Sequence, residues 1–169
     1  MLLVCVLSAA AACAQEKPVR DEPKWSSRLI AGPESGTSVV ELSLQGSYSR
    51  PPSFVNAQPA LVVECTKGKV RGNYISFGAI LDVPGNGASP FELIAFIDDV
   101  RTPIVVDDVS PDHTSAYFSR RELLRMLNAR QVVVGTVEFA GPPIQVRFTI
   151  PDSSPVLSAC GHDWVLRQK

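Results

Sequence analysis

Reactive side chains are scarce in this 169-residue chain, which has two histidines, four cysteines and a net charge of −1. The histidines, His113 and His162, follow no His-x-x-x-His or His-Glu-x-x-His spacing, so the chain carries no zinc motif. Pro111-Asp112 precedes one and Gly161 the other, which reads as a pair of exposed loop residues. No Cys-x-x-Cys occurs, and Gly-x-Ser-x-Gly and Ser-x-x-Lys are missing, so neither a redox motif nor a serine nucleophile is marked. Gly85-Asn86-Gly87 lacks the helix and lysine that complete a phosphate loop. With 16 basic and 17 acidic side chains, the chain has no electrostatic footprint for nucleic acid. Heptads, internal repeats, low-complexity tracts and a late apolar run of membrane-spanning length are missing as well. The reading therefore assigns no catalytic residue, cofactor or metal, and disfavours an enzyme.

What is present begins with an export signal. Residues 2–12 are almost wholly apolar but shorter than the roughly 20 residues a transmembrane helix needs. Ala12-Cys13-Ala14 forms a small-x-small cleavage site, followed by the polar Gln15-Glu16-Lys17-Pro18. The expectation is a signal peptide over residues 1–14 and a mature chain starting at Gln15, periplasmic or secreted. No basic residue precedes the apolar run, so either the true start lies upstream or the free amine serves. Lipidation of Cys13 is the competing reading, against which Ala10 stands where a large aliphatic residue is usual.

Beyond the signal stand two cysteines, Cys65 at the end of an apolar run and Cys160 near the C-terminus. In an oxidising compartment two such residues pair, and the expectation is a structural disulfide. Closing a loop of roughly a hundred residues contributes up to about 4.7 kcal/mol in the chain-entropy model.

Fourteen prolines and eleven glycines, scattered along the chain, mark many short turns and favour a β-rich fold. Residues 15–24 read as a flexible polar leader and residues 25–169 as a single domain. Val40, Leu42 and Leu44 alternate with Glu41 and Ser43, the pattern of a half-buried strand. Residues 46–57, with Pro51-Pro52, read as a loop. The continuous apolar run at residues 60–65 reads as a central strand, turning through Lys67-Gly68-Lys69 into residues 70–77. Residues 78–83 continue that strand or form another, before the turn at Pro84-Gly85-Asn86-Gly87. Strands are further expected at residues 91–97, 104–106, 114–118, 131–139 and 144–150.

Residues 119–129 form the one clear helix. Ser119 and Glu122 have the spacing of a capping box, and Leu123, Leu124 and Leu127 share a face opposite Arg121 and Arg125. Ser153-Ser154-Pro155 starts a short C-terminal helix with proline in its first turn, and Gly161 suits its C-terminal cap. The expected fold is a β-rich α+β domain, an antiparallel β-sandwich or half-barrel with one amphipathic helix and the short C-terminal one.

Five aspartates, Asp98, Asp99, Asp107, Asp108 and Asp112, lie close in sequence with one arginine among them. They do not follow the Asp-x-Asp-x-Asp-Gly pattern of a calcium loop, and ordinary solvated corners are the plainer reading. A hydrolase acting through a carboxylate pair near residues 98–112 is the alternative function. On strands, adjacent aspartates point to opposite faces, so one of each pair at most lines a common pocket.

The order of landmarks resembles a known family. Trp25 after the signal, Leu61-Val62-Val63-Glu64-Cys65, the central Phe-Ile-Asp-Asp-Val-Arg, the Leu123-Leu124-Leu127 helix, Val-Glu-Phe-Ala-Gly and the terminal Val-Leu-Ser-Ala-Cys-Gly-His-Asp-Trp follow in turn. Together they resemble the TagO/VasI-type proteins associated with type VI secretion, over residues 25–164. The chain departs from that pattern at Ile104-Val105-Val106, where a tryptophan is expected. The resemblance implies an accessory role at the cell envelope for a secretion apparatus. With no catalytic motif present, the expectation is an exported, non-enzymatic protein that acts by binding a protein partner in the envelope. No partner among nucleic acids and no membrane-spanning segment after the signal is expected.

Overall fold

The computed structural model describes residues 22–34, 36–53, 57–82, 91–137 and 141–161. The expected signal peptide with Cys13, most of the leader, the turn at Pro84-Gly85-Asn86-Gly87, His162 and Trp164 lie outside the described residues. In chain order the elements are β1 (Trp25–Ala31), β2 (Ser38–Gln45), β3 (Ser47–Arg50), β4 (Ala60–Thr66), β5 (Lys69–Ser76) and β6 (Phe91–Ile97). There follow β7 (Val100–Arg101), β8 (Ile104–Val109), β9 (Ser115–Phe118), α1 (Arg120–Leu127), β10 (Gln131–Val137), β11 (Pro143–Thr149) and α2 (Ser154–Cys160).

The strands join in one sandwich-like sheet, ordered β1-β2-β4-β5-β9-β8-β6-β10-β11-β3, with β7 paired to β6. Its pairings are antiparallel, as short connections require. The sheet does not close into a barrel, since β1 and β3 remain its two ends. Leu42 and Leu44 of β2, Leu61 and Val63 of β4, Val132 and Val134 of β10, and Val146 and Phe148 of β11 meet in one core. Each such side chain stabilises the fold by about 1.5–3 kcal/mol through removal from water. The run at β4 is buried at Leu61, Val62 and Val63 because it lies between β2 and β5.

Several local expectations need correction. The loop expected at residues 46–57 contains β3, which pairs with β11. Tyr48 anchors it, donating its hydroxyl to the Phe77 carbonyl at 2.6 Å, with the Ala57 carbonyl a second acceptor within reach at 3.1 Å. β2 and β3 are separated by Gly46 alone, yet they pair in different parts of the sheet. A Cβ there would lie 2.7 Å from the Phe148 ring, so the chain changes layers at a position without a side chain. Residues 78–82 make no further strand; the Leu81 amide donates to the His113 carbonyl. β1 is an edge strand whose central four residues are exposed, which hides its periodicity in sequence.

The helix begins as expected, with the Ser119 hydroxyl accepting from the Glu122 amide at 3.4 Å. Leu123, Leu124, Met126 and Leu127 are buried. Two details differ. The buried Glu122 carboxylate accepts from Arg125 Nη1 at 2.6 Å, so Arg125 is half-buried in an ion pair and does not simply point away. The helix also stops at Leu127, where the Asn128 side chain donates to the Leu124 carbonyl. In α2, Pro155 occupies the first turn, Val156 and Cys160 are buried, and Gly161 caps the end at φ 79°. This helix packs on β4 and β5 and brings Cys160 to disulfide distance of Cys65, 95 residues away, with Cα atoms 5.1 Å apart. No described helix is long and apolar enough to cross a membrane.

Candidate binding site

The aspartates of residues 98–112 do not converge. Asp98 and Asp99 form the two-residue turn between β6 and β7, at φ 47° and 66°, the left-handed pair of a tight hairpin. The Asp98 carboxylate accepts from the amides of Arg130 and Gln131, both at 2.9 Å, and so tethers the start of β10. Asp107 and Asp108, expected in a corner, are strand residues of β8. A register shift between Val106 and Asp108 breaks the alternation, leaving both exposed. Asp112 closes the β8–β9 turn. Its carboxylate is held below the usual range by the Ser110 hydroxyl first, then by the amide and hydroxyl of Thr114.

Turns 98–99 and 110–114 lie at opposite ends of the arm formed by β7 and β8. At the strand rise, ten residues separate them by on the order of 30 Å. His113 is exposed at φ 57°, near Asp112 and far along the strand from Asp98. Among the described residues no group of three or more His, Cys, Asp or Glu side chains is placed to hold a metal ion.

A site that sequence reasoning missed lies where β6 parts from β10. Ile94, Ala95, Phe96 and Ile97 pair with β10, whereas Phe91, Glu92 and Leu93 pair only with β8 among the described residues. The fork opens a mainly apolar cleft of about 340 Å³. Phe91, Leu93 and Ile144 supply apolar wall, and Arg50, Asp82 and Glu92 bring charge. Gly135 sits at the fork, opposite Ile94 on one side and Gln145 on the other. Its missing side chain leaves a hollow, since a Cβ there would touch nothing closer than 3.7 Å. Beside it, Ile94 is 56% exposed.

One sequence signal pointed here. The run Phe-Glu-Leu-Ile-Ala-Phe-Ile reads as buried throughout, yet Glu92 shares its face with Ile94 and Phe96. A charged residue in that register marks a face open to water.

The far half of the sheet carries a different surface. Arg28, Glu41, Glu64 and Gly72 lie in one cross-strand row, and Ser43, Val62, Tyr74 and Tyr117 in the next. Arg28 grips Glu41 through two hydrogen bonds, at 2.6 and 3.1 Å. The Tyr74 and Tyr117 rings pack with centroids 5.1 Å apart. Burial, then the charges of Glu41 and Glu64, pushes the Tyr74 phenol up to about 12. This row is a hydrogen-bonded and ion-paired network on a sheet face.

Comparison with known families, characterised proteins and solved structures finds no match to this chain.

Proposed function

We propose that this chain is an exported, non-enzymatic accessory protein of the cell envelope that acts by holding a protein partner. Its apparatus is a secretion machine of the type VI kind, in line with the resemblance to TagO/VasI-type proteins. The observation that carries the binding part is the open cleft at the β6–β10 fork, with Ile94 exposed beside the hollow at Gly135. Sites that take apolar side chains from a partner are concave and mainly apolar, with few polar groups to orient what enters.

Gly135→Val tests the reading cleanly. The added Cβ meets only ordinary contacts, and valine suits a strand better than glycine does. In the native host, crosslinking recovers an envelope partner from the wild-type chain, and Gly135→Val loses it while remaining at wild-type abundance. If instead one Asp→Asn change among Asp98, Asp99, Asp107, Asp108 and Asp112 abolished function in a folded, abundant protein, the hydrolase reading would replace this one.

A further inference from the structure

We infer that the outer face of β7, β6, β10 and β11, beside the cleft, binds an acidic polypeptide segment. The inference rests on the partner-holding reading above and names the chemistry of the partner.

Register alone assembles the surface. Arg101 lies opposite Phe96, Phe96 opposite Val133, and Val133 opposite Arg147, so four neighbouring strands present Arg-Phe-Val-Arg on one face. The next row runs Ile94, Gly135 and Gln145, beyond which the β11–β3 register shifts and the Ser49 hydroxyl meets Gln145 Oε1 at 3.0 Å. An apolar centre of Ile94, Phe96 and Val133 is thereby framed by Arg101 on one side and by Arg147 on the other. Both arginines are exposed, and neither has an ion-pair partner among the described residues. Glu92 is exposed on the same face, but it lies four residues along β6 from Phe96, away from the row that carries the two arginines. Carboxylates of the far half, Glu41 and Glu64, already have Arg28 and Arg71 beside them.

Width and shape select the occupant. Three strand spacings of about 4.8 Å place the framing arginines roughly 14 Å apart, close to the diameter of a single helix or an extended segment. Guanidinium groups grip carboxylates with paired hydrogen bonds, so acids flanking apolar residues complement this frame. The hollow at Gly135 accepts an inserted side chain, which the flat surface of a bilayer does not supply. Nucleic acid is disfavoured by the overall charge.

The probe is a labelled peptide of three Glu-Glu-Leu-Leu repeats, titrated with the full chain and followed by fluorescence anisotropy. Its control replaces each glutamate with glutamine, and phosphatidylglycerol vesicles form a separate arm. The acidic peptide is expected to bind at least about tenfold tighter than the control, a difference of about 1.4 kcal/mol, and to weaken as salt screens the arginines. Arg101→Glu with Arg147→Glu should remove that preference, with Arg101→Gln and Arg147→Gln read in their place if the reversed pair does not fold. Equal binding of both peptides, no binding of either, an unaffected arginine variant, or vesicle binding with the same arginine dependence each overturns the inference. If the crosslinked partner is lost in Gly135→Val but kept in the arginine variants, the acidic-partner inference fails and the cleft reading stands.

Discussion

Glu41 and Glu64 occupy directly opposed positions on β2 and β4, two carboxylates facing each other across one strand spacing. Like charges so placed destabilise a sheet. Arg28 offsets this from the far side of Glu41, and Arg71 approaches Glu64 at 4.0 Å. The pair leaves its mark on Tyr74, whose phenol is raised by burial first and by these two charges next. A raised native pKa means that the folded protein holds its proton more firmly than the unfolded chain does. Stability from this source is intact below the ordinary tyrosine value of about 10 and is lost as pH rises toward about 12. Urea midpoints should therefore fall over that window in the wild type, and Tyr74→Phe should flatten the fall. An unchanged slope in the variant would show that another group governs alkaline unfolding.

For the cysteines, free-thiol counting on unreduced, denatured protein should find Cys65 and Cys160 bonded. Their Cα separation of 5.1 Å lies within the range a disulfide spans. Cys65→Ser should cost about 2–5 kcal/mol and lower the protein's abundance. Two reactive thiols in the unreduced protein would contradict this.

Helix α1 makes a contrast within one element. Leu123 is fully buried, and Leu123→Ala should cost about 2–5 kcal/mol. Arg121 is exposed, and Arg121→Ala should change stability by less than about 0.5 kcal/mol. Denaturant melts of the two variants decide it, and the reverse order would mean that the helix packs through its other face.

Asp98 and Asp107 should separate in the same way. Asp98→Ala removes the acceptor of two backbone amides and should cost about 1–2 kcal/mol. Asp107→Ala should stay within about 0.5 kcal/mol, its side chain being exposed on β8. A loss of partner crosslinking at Asp98→Asn without loss of stability would give that residue a chemical role beyond the tether.

Much of the fold was legible from short-range pattern. Alternation located β2, the unbroken apolar run located β4 as a central strand, and Ser119 marked the start of α1, because each depends on neighbours within a few residues. The short C-terminal helix was legible for the same reason, from Ser153, Ser154 and Pro155. Tertiary structure alone decided the rest. β3 is a four-residue segment whose partner, β11, is nearly a hundred residues away, and no local periodicity announces such a pairing. The five aspartates are neighbours in sequence, but the arm of β7 and β8 carries them to its two ends. The Arg-Phe-Val-Arg row and the hollow at Gly135 likewise exist only once β7, β6, β10 and β11 lie side by side. Side-chain pattern determined which segments became strands and which face of most of them met the core. Register between distant segments, set when the sheet assembled, decided which residues became neighbours, and a surface for binding is made of neighbours.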